Sequence, residues 1–220
     1  MATRKIVTYE DPRLRKRSIR IKRIDRTIQS LIDDMIETMR EANGVGLAAP
    51  QIGILLRLIV TEFVDEETEE LQQQVLINPE IVEKQGEWMA EEGCLSIPGF
   101  VGTVPRAEKV TVRGQERSGR RIKINADGYL AHILQHEIDH LEGVLYVDYL
   151  EKGFDELRPV EPGEKRRRRR AGLGQDGERD EEEEPAGQIV LADQPTEEEP
   201  RGVSTAAAGR KPFDPCCDNE

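Results

Sequence analysis

Apolar residues recur every three to four positions at Ile28, Leu31, Ile32, Met35, Ile36 and Met39, the period of one buried helix face. The pattern predicts a helix over roughly 27–42, with Asp25 or Thr27 as its N-cap and Asn43-Gly44 as its stop. Beyond it the period shortens. Arg57–Phe63, Gln74–Ile77, Ile81–Lys84, Val101–Val104, Lys109–Arg113 and Arg121–Asn125 read as short strands. Asp65–Glu70 reads as an acidic hairpin loop and Gln115–Arg120 as a turn. A second helix is expected over about 128–142, capped by Asp127 and ended by Gly143, followed by an extended Val144–Leu150. A helix, a run of antiparallel strands and a second helix describe an α+β fold rather than alternating βαβ units.

The pattern fails after Leu157. Residues 158–220 hold seven of the twelve prolines and one aromatic, Phe213, together with the runs Arg166–Arg170, Asp180–Glu184 and Glu197–Glu199. Such a segment buries too little apolar surface to offset its ordering entropy. The chain therefore divides into a domain over 1–157 and a low-complexity, disordered tail over 158–220. Of the net charge of −12, the tail (11 basic, 16 acidic) carries −5 and the body (21 basic, 28 acidic) −7. An acidic body argues against DNA or general nucleic-acid binding. No run approaches the ~18 apolar residues of a membrane span, and the N-terminus lacks an apolar leader, so a cytoplasmic protein is expected. Three cysteines, two of them adjacent at Cys216 and Cys217, form no disulfide framework.

The chemistry lies in His136-Glu137-Ile138-Asp139-His140, an HExxH motif. Residues four apart share a helix face, so His136 and His140 can grip one metal ion with Glu137 beside them as a base for a water proton. Cys94, in Glu92-Gly93-Cys94-Leu95-Ser96, offers a third ligand as a thiolate and leaves a fourth position for water. His132 and His140 stand roughly 12 Å apart along the axis, too far to share that ion, so His132 is read as a packing or surface residue. Gly44-Val45-Gly46-Leu47-Ala48-Ala49 imitates a dinucleotide fingerprint, but it follows a helix, and Pro50 obstructs the helix that should begin there. Its glycines suit close approach of backbone to a ligand, and Gln51 offers an amide donor to an oxyanion. HExxH alone also fits a zinc peptidase, and a non-catalytic binder of nascent chains stays open as well.

Taken together, Gly44–Gln51, Glu92–Ser96 and His136–Gly143 resemble the three signature motifs of the peptide deformylases, in order and spacing, within a similarity running from about Val7 to Leu150. The resemblance implies a metallohydrolase that removes the formyl group from the N-terminal formyl-methionine of nascent polypeptides. It implies Cys94, His136 and His140 as metal ligands, with Fe(II) as the metal and Zn, Ni or Co in prepared samples. Glu137 becomes the general acid/base, and Gln51 with the Leu95 N–H the oxyanion donors. Gly46 becomes the backbone that pairs with the peptide. Val45, Tyr129, Ile133 and His136 would border the pocket for the methionine side chain. Formate then leaves after water attacks the formyl carbon. The tail departs from the helix that often ends bacterial members and in some touches the ribosome. Arg166–Arg170 is its one candidate for that contact.

Overall fold

In the computed structural model, residues 2–64, 70–160 and the backbone of 189–191 are described. Helix α1 (Arg26–Glu41) starts where the Asp25 carboxylate accepts from the N–H groups of Thr27 and Ile28, at 3.0 and 3.1 Å. It ends at Asn43, whose φ of 58° reverses the chain. All six periodic apolar residues are buried. They pack on β1 (Gly46–Ala48), β2 (Leu58–Val64) and β3 (Leu71–Gln85) through Leu47, Leu58, Val60 and Ile77.

The two expected strands at 74–77 and 81–84 are one strand, β3, broken by a bulge at Asn78-Pro79 where the register shifts between Ile77 and Glu80. Pro79 cannot donate to a ladder, and a bulge is where a strand tolerates it. Asn78, at φ 53°, spends its side chain on the backbone of Ile21. The loop between β2 and β3 lies outside the described residues at 65–69. Further along run β4 (Trp88–Cys94), β5 (Ile97–Arg106), β6 (Lys109–Gln115) and β7 (Arg121–Asp127). β4 had no counterpart among the expected strands.

Among the described residues the strands form two antiparallel sheets, one ordered β1-β2-β3-β6-β7 with a further strand beyond β7, the other led by β4-β5. The fold is α+β. Helix α2 (Gly128–Glu142) lies against the larger sheet through Leu130, Ala131, Leu134, Ile138 and Leu141, which pack with Val110, Val112, Ile122 and Ile124. Gln135 clamps it further, accepting from the Ala107 N–H at 3.0 Å and donating to the Ala107 carbonyl at 2.9 Å. Asp127 occupies its N-cap position without a side-chain bond to the helix. Gly143 ends it at φ 80°, with the backbone of Arg15 so close that a Cβ would sit 2.8 Å from it.

Two expectations need correction. Val144–Leu150 is not extended: Tyr146–Tyr149 forms a 3-10 turn because the Asp148 carboxylate accepts from the Leu145 N–H at 2.9 Å. Nor does order stop at residue 157. Arg158–Pro159 forms β8 on the outer edge of β5, paired with Val101 and Phe100, and Val160 donates to the Gly99 carbonyl at 2.9 Å. Arg158 also pairs with Glu91. Ile189–Leu191 forms β9 on the edge of β7. Free edge N–H and C=O groups supply the reason in both places. Arg166–Arg170, Cys216 and Cys217 lie outside the described residues.

An N-terminal arm ties these parts together. Val7 donates to the Gln51 carbonyl at 2.8 Å, Tyr9 to that of Ser96 at 2.9 Å and Ser18 to that of Leu141 at 2.8 Å. Among the described residues no helix is long and apolar enough to cross a membrane.

Candidate metal centre

Three segments deliver the centre. β4 and β5 meet in a hairpin whose turn is Leu95-Ser96, with Cys94 paired to Ile97. α2 brings His136, Glu137 and His140. The segment after α1 forms edge strand β1 and then a 3-10 turn, Ala49–Ile52, carrying Gln51. One ligand atom each from Cys94, His136 and His140 lie within 4.8 Å of one another, and Cys94 Sγ stands 3.3 Å from His140 Nε2. One thiolate and two imidazoles suit a borderline divalent cation. Among the described residues, Glu137 Oε2 and His140 Nδ1 are buried without a hydrogen-bond partner, so Glu137 is left polar and uncommitted beside the ligands.

Gln51 is 1 % exposed and already oriented. Its Oε1 accepts from the Ala48 N–H at 2.8 Å, and its Nε2 lies 3.4 Å from both Cys94 Sγ and Ser96 Oγ. Leu95 follows Cys94 in the turn, its side chain over Gly44. Gly46 touches Glu137 directly: a Cβ there would stand 2.3 Å from Oε1. Val45 and Tyr129 are half-buried, and Ile133 is buried one helical turn before Glu137. A groove of about 490 Å³ beside α1, lined by Arg4, Arg26 and Leu56 among others, contains none of these residues.

Sequence reasoning missed the group that aims the histidines. Glu92 is 1 % exposed and accepts from His136 Nδ1 at 2.7 Å, which would leave His136 Nε2 for an ion. Arg106, also buried, forks onto Glu92 at 2.5 and 3.1 Å and reaches Asp139 at 2.5 Å. Asp139 accepts from the Tyr149 hydroxyl at 3.0 Å, and the Arg106 guanidinium lies over the Tyr149 ring. His132 is turned to Glu92, 3.1 Å away, not to the ligands. The signal for Glu92 was alternation. Ala90, Glu92 and Cys94 fall on one face of β4, so a ligand at Cys94 places Glu92 inside with it.

Burial alone would raise the Glu92 carboxyl, but the charge on His136 and the bonds from His132, His136 and Arg106 outweigh it and hold the group well below the carboxylate range. Burial pushes Glu137 up to about 7, against the nearby His136 charge and with that of Glu92. Burial and the His136 charge drive His140 down, whereas Glu92 and Cys94 overcome burial to hold a proton on His136. A divalent cation seated between the three ligands would displace that proton.

A cysteine and an HExxH pair that could hold one ion, with a buried acid alongside on an α+β scaffold, fit a metallohydrolase. The sequence model of the polypeptide deformylases matches residues 3–154. A peptide deformylase of Dehalococcoides mccartyi strain CBDB1 is 50% identical over 162 residues, covering 74% of this chain and 94% of that protein. The crystal structure of a peptide deformylase from Legionella pneumophila superposes with a TM-score of 0.63 at 47% identity, over 77% of this chain and 92% of that one. That of the Ehrlichia chaffeensis enzyme in complex with actinonin gives 0.65 at 40%, over 69% and 91%. The chain belongs to the polypeptide deformylase family, hydrolases that remove the N-formyl group of nascent polypeptides.

Proposed function

We propose that Cys94, His136 and His140 hold the catalytic ion and that Glu137, Gln51 and the Leu95 N–H carry out the deformylation around it. The convergence of the three ligand atoms within 4.8 Å, beside the buried Glu137, carries this reading. The ion, Fe(II) in the cell, supplies the Lewis acidity that lets water ionise near neutrality. Intrinsic affinity favours Zn, Ni or Co over Fe(II), so occupancy follows supply and handling.

The rest of the reaction belongs to the protein. Among the described residues β1 ends the larger sheet, so its outer edge at Gly46 is offered to an extended formyl peptide. Val45, Tyr129 and Ile133 border the first side chain. Gln51 Nε2 and the Leu95 N–H donate to the oxygen of the attacked formyl carbonyl as its charge develops. Glu137 takes the proton from water and passes it to the leaving amine. Burial raises the Glu137 carboxyl above its ordinary value, toward the range in which one group can both take and give a proton. Formate and a free N-terminus result.

The test is formate release from formyl-Met-Ala-Ser by protein purified without oxygen and loaded with Fe(II) or Ni(II). Glu137→Ala should keep its metal and lose turnover by at least ~100-fold. Undiminished release in that variant, or none from loaded, folded wild type, would refute the assignment. An enzyme acting on nascent chains would work in the cytoplasm, and Arg166–Arg170 is the proposed contact with ribosomal phosphates. Co-sedimentation with ribosomes that survives deletion of 161–188 would exclude that contact.

A further inference from the structure

Helix α2 sends two imidazoles to one carboxylate. His136 Nδ1 meets Glu92 Oε2 at 2.7 Å, and His132 Nε2, one turn earlier, lies 3.1 Å from Oε1. Arg106 spans the same two oxygens, Nε on Oε1 at 2.5 Å and a terminal nitrogen on Oε2 at 3.1 Å. A carboxylate offers about four lone-pair sites; here His136 and Arg106 bond to Oε2, Arg106 bonds to Oε1, and the His132 ring nitrogen stands against Oε1. The Arg106 fork fixes the carboxylate in its plane, and the His132 ring nitrogen adds a contact on Oε1, opposite the His136 bond to Oε2. The His132 ring is held in turn. Trp88 and Tyr129 meet it nearly at right angles, with centroids 6.1 and 5.9 Å away.

We propose that His132 is a positioning residue of the metal centre: by holding Glu92 Oε1 it fixes Oε2 on His136 Nδ1 and thereby aims His136 Nε2 at the ion. The bond to Glu92 sets which ring nitrogen of His136 carries the proton, leaving the other as a ligand lone pair. His132 acts from Nε2, 3.1 Å from Oε1. The inference rests on the ligand set proposed above and deepens it.

The experiment loads wild type, His132→Gln and His132→Leu with Ni(II) and follows metal loss to excess EDTA, with the Tm of each protein recorded. Glutamine keeps an N–H at similar reach, whereas leucine keeps the apolar bulk and loses the donor. His132→Leu should lose Ni(II) about tenfold faster than wild type and His132→Gln no more than about threefold faster, the lower range for partners that support a ligand. Loss at the wild-type rate from His132→Leu, or equal acceleration in both variants, overturns the proposal. Wild type that takes up no Ni(II) refutes the ligand set itself, and the inference with it. Should His132→Leu fail to fold, His132→Asn, whose amide stops short of Oε1, replaces it. The readout is then the His136 Nδ1–H proton resonance of Zn(II)-loaded protein. An upfield move in His132→Asn and not in His132→Gln is expected; an unmoved resonance in both overturns the proposal.

Discussion

Gly46→Ala tests the proposed catalytic geometry with one methyl group. The added Cβ would stand 2.3 Å from Glu137 Oε1, 2.8 Å from Cδ and 2.9 Å from Cγ, about 1 Å short of ordinary contact. Glu137 is buried on a helix whose residues are mostly buried, and the part of it nearest the added methyl is its carboxylate, so the clash is expected to turn that carboxylate away from its place beside Cys94, His136 and His140. A displacement of about 1 Å in a reacting group costs on the order of 100-fold in rate, or about 2.7 kcal/mol of barrier. Overpacking should take a further ~1–3 kcal/mol from stability. The assay is steady-state formate release with metal content measured on the same sample. The expected result is full metal occupancy, kcat down about 100-fold and a lowered Tm. The same substitution in a Glu137→Ala background should cost almost no stability, because the clash is gone, giving a coupling of about 1–3 kcal/mol. A change in KM alone would mean that Gly46 acts only through the peptide. Wild-type kcat and Tm together would show that Glu137 is not held where its contact with Gly46 puts it.

Three further outcomes follow from the same geometry. Glu137, raised from 4.5 to about 7, holds its proton more tightly folded than unfolded, so the stability of cation-free protein falls as pH climbs through that window, by about 3 kcal/mol in total. Glu137→Gln lacks that slope and should match wild type at pH 4 but exceed it at pH 8; parallel urea-melt stabilities across the range would contradict this. Arg106→Leu strands the buried Glu92 and removes a partner of Asp139, which should cost about 3–5 kcal/mol in urea unfolding at pH 7; a loss below ~1 kcal/mol would mean that the pair is not buried as described. Cys94→Ser in Co(II)-loaded protein should abolish the thiolate charge-transfer absorption, and an unchanged spectrum removes Cys94 from the ligands.

What could be read from the chain depended on whether each residue's role matched its local pattern. α1 was legible because one apolar stripe meets one core, and α2 because His136 and His140 sit four apart with Gly143 behind them. β4 was not, because an inward glutamate reverses the apparent alternation: Glu92 looks solvated until Arg106 is seen, and Arg106 is 14 residues away on the partner strand. The bulge at Asn78-Pro79 likewise reads as a turn, since Pro79 breaks the ladder locally while the sheet carries the strand onward. Arg158-Pro159 carries no strand signal of its own. It is extended because β5 has an edge to fill.

The N-terminal arm holds no residue of the reaction, yet its backbone reaches Gln51, Ser96 and Leu141 in turn, one point on each segment that supplies the centre. It works as a ruler laid by hydrogen bonds across three parts that lie far apart in the sequence. A protease nick near Thr8 would leave every proposed ligand and donor intact and still untie the Val7 bond to Gln51 from the rest of the arm. Loss of activity by such clipping would be gradual and metal-leaking rather than abrupt. An N-terminal purification handle is therefore a less innocent choice for this enzyme than one at the other end.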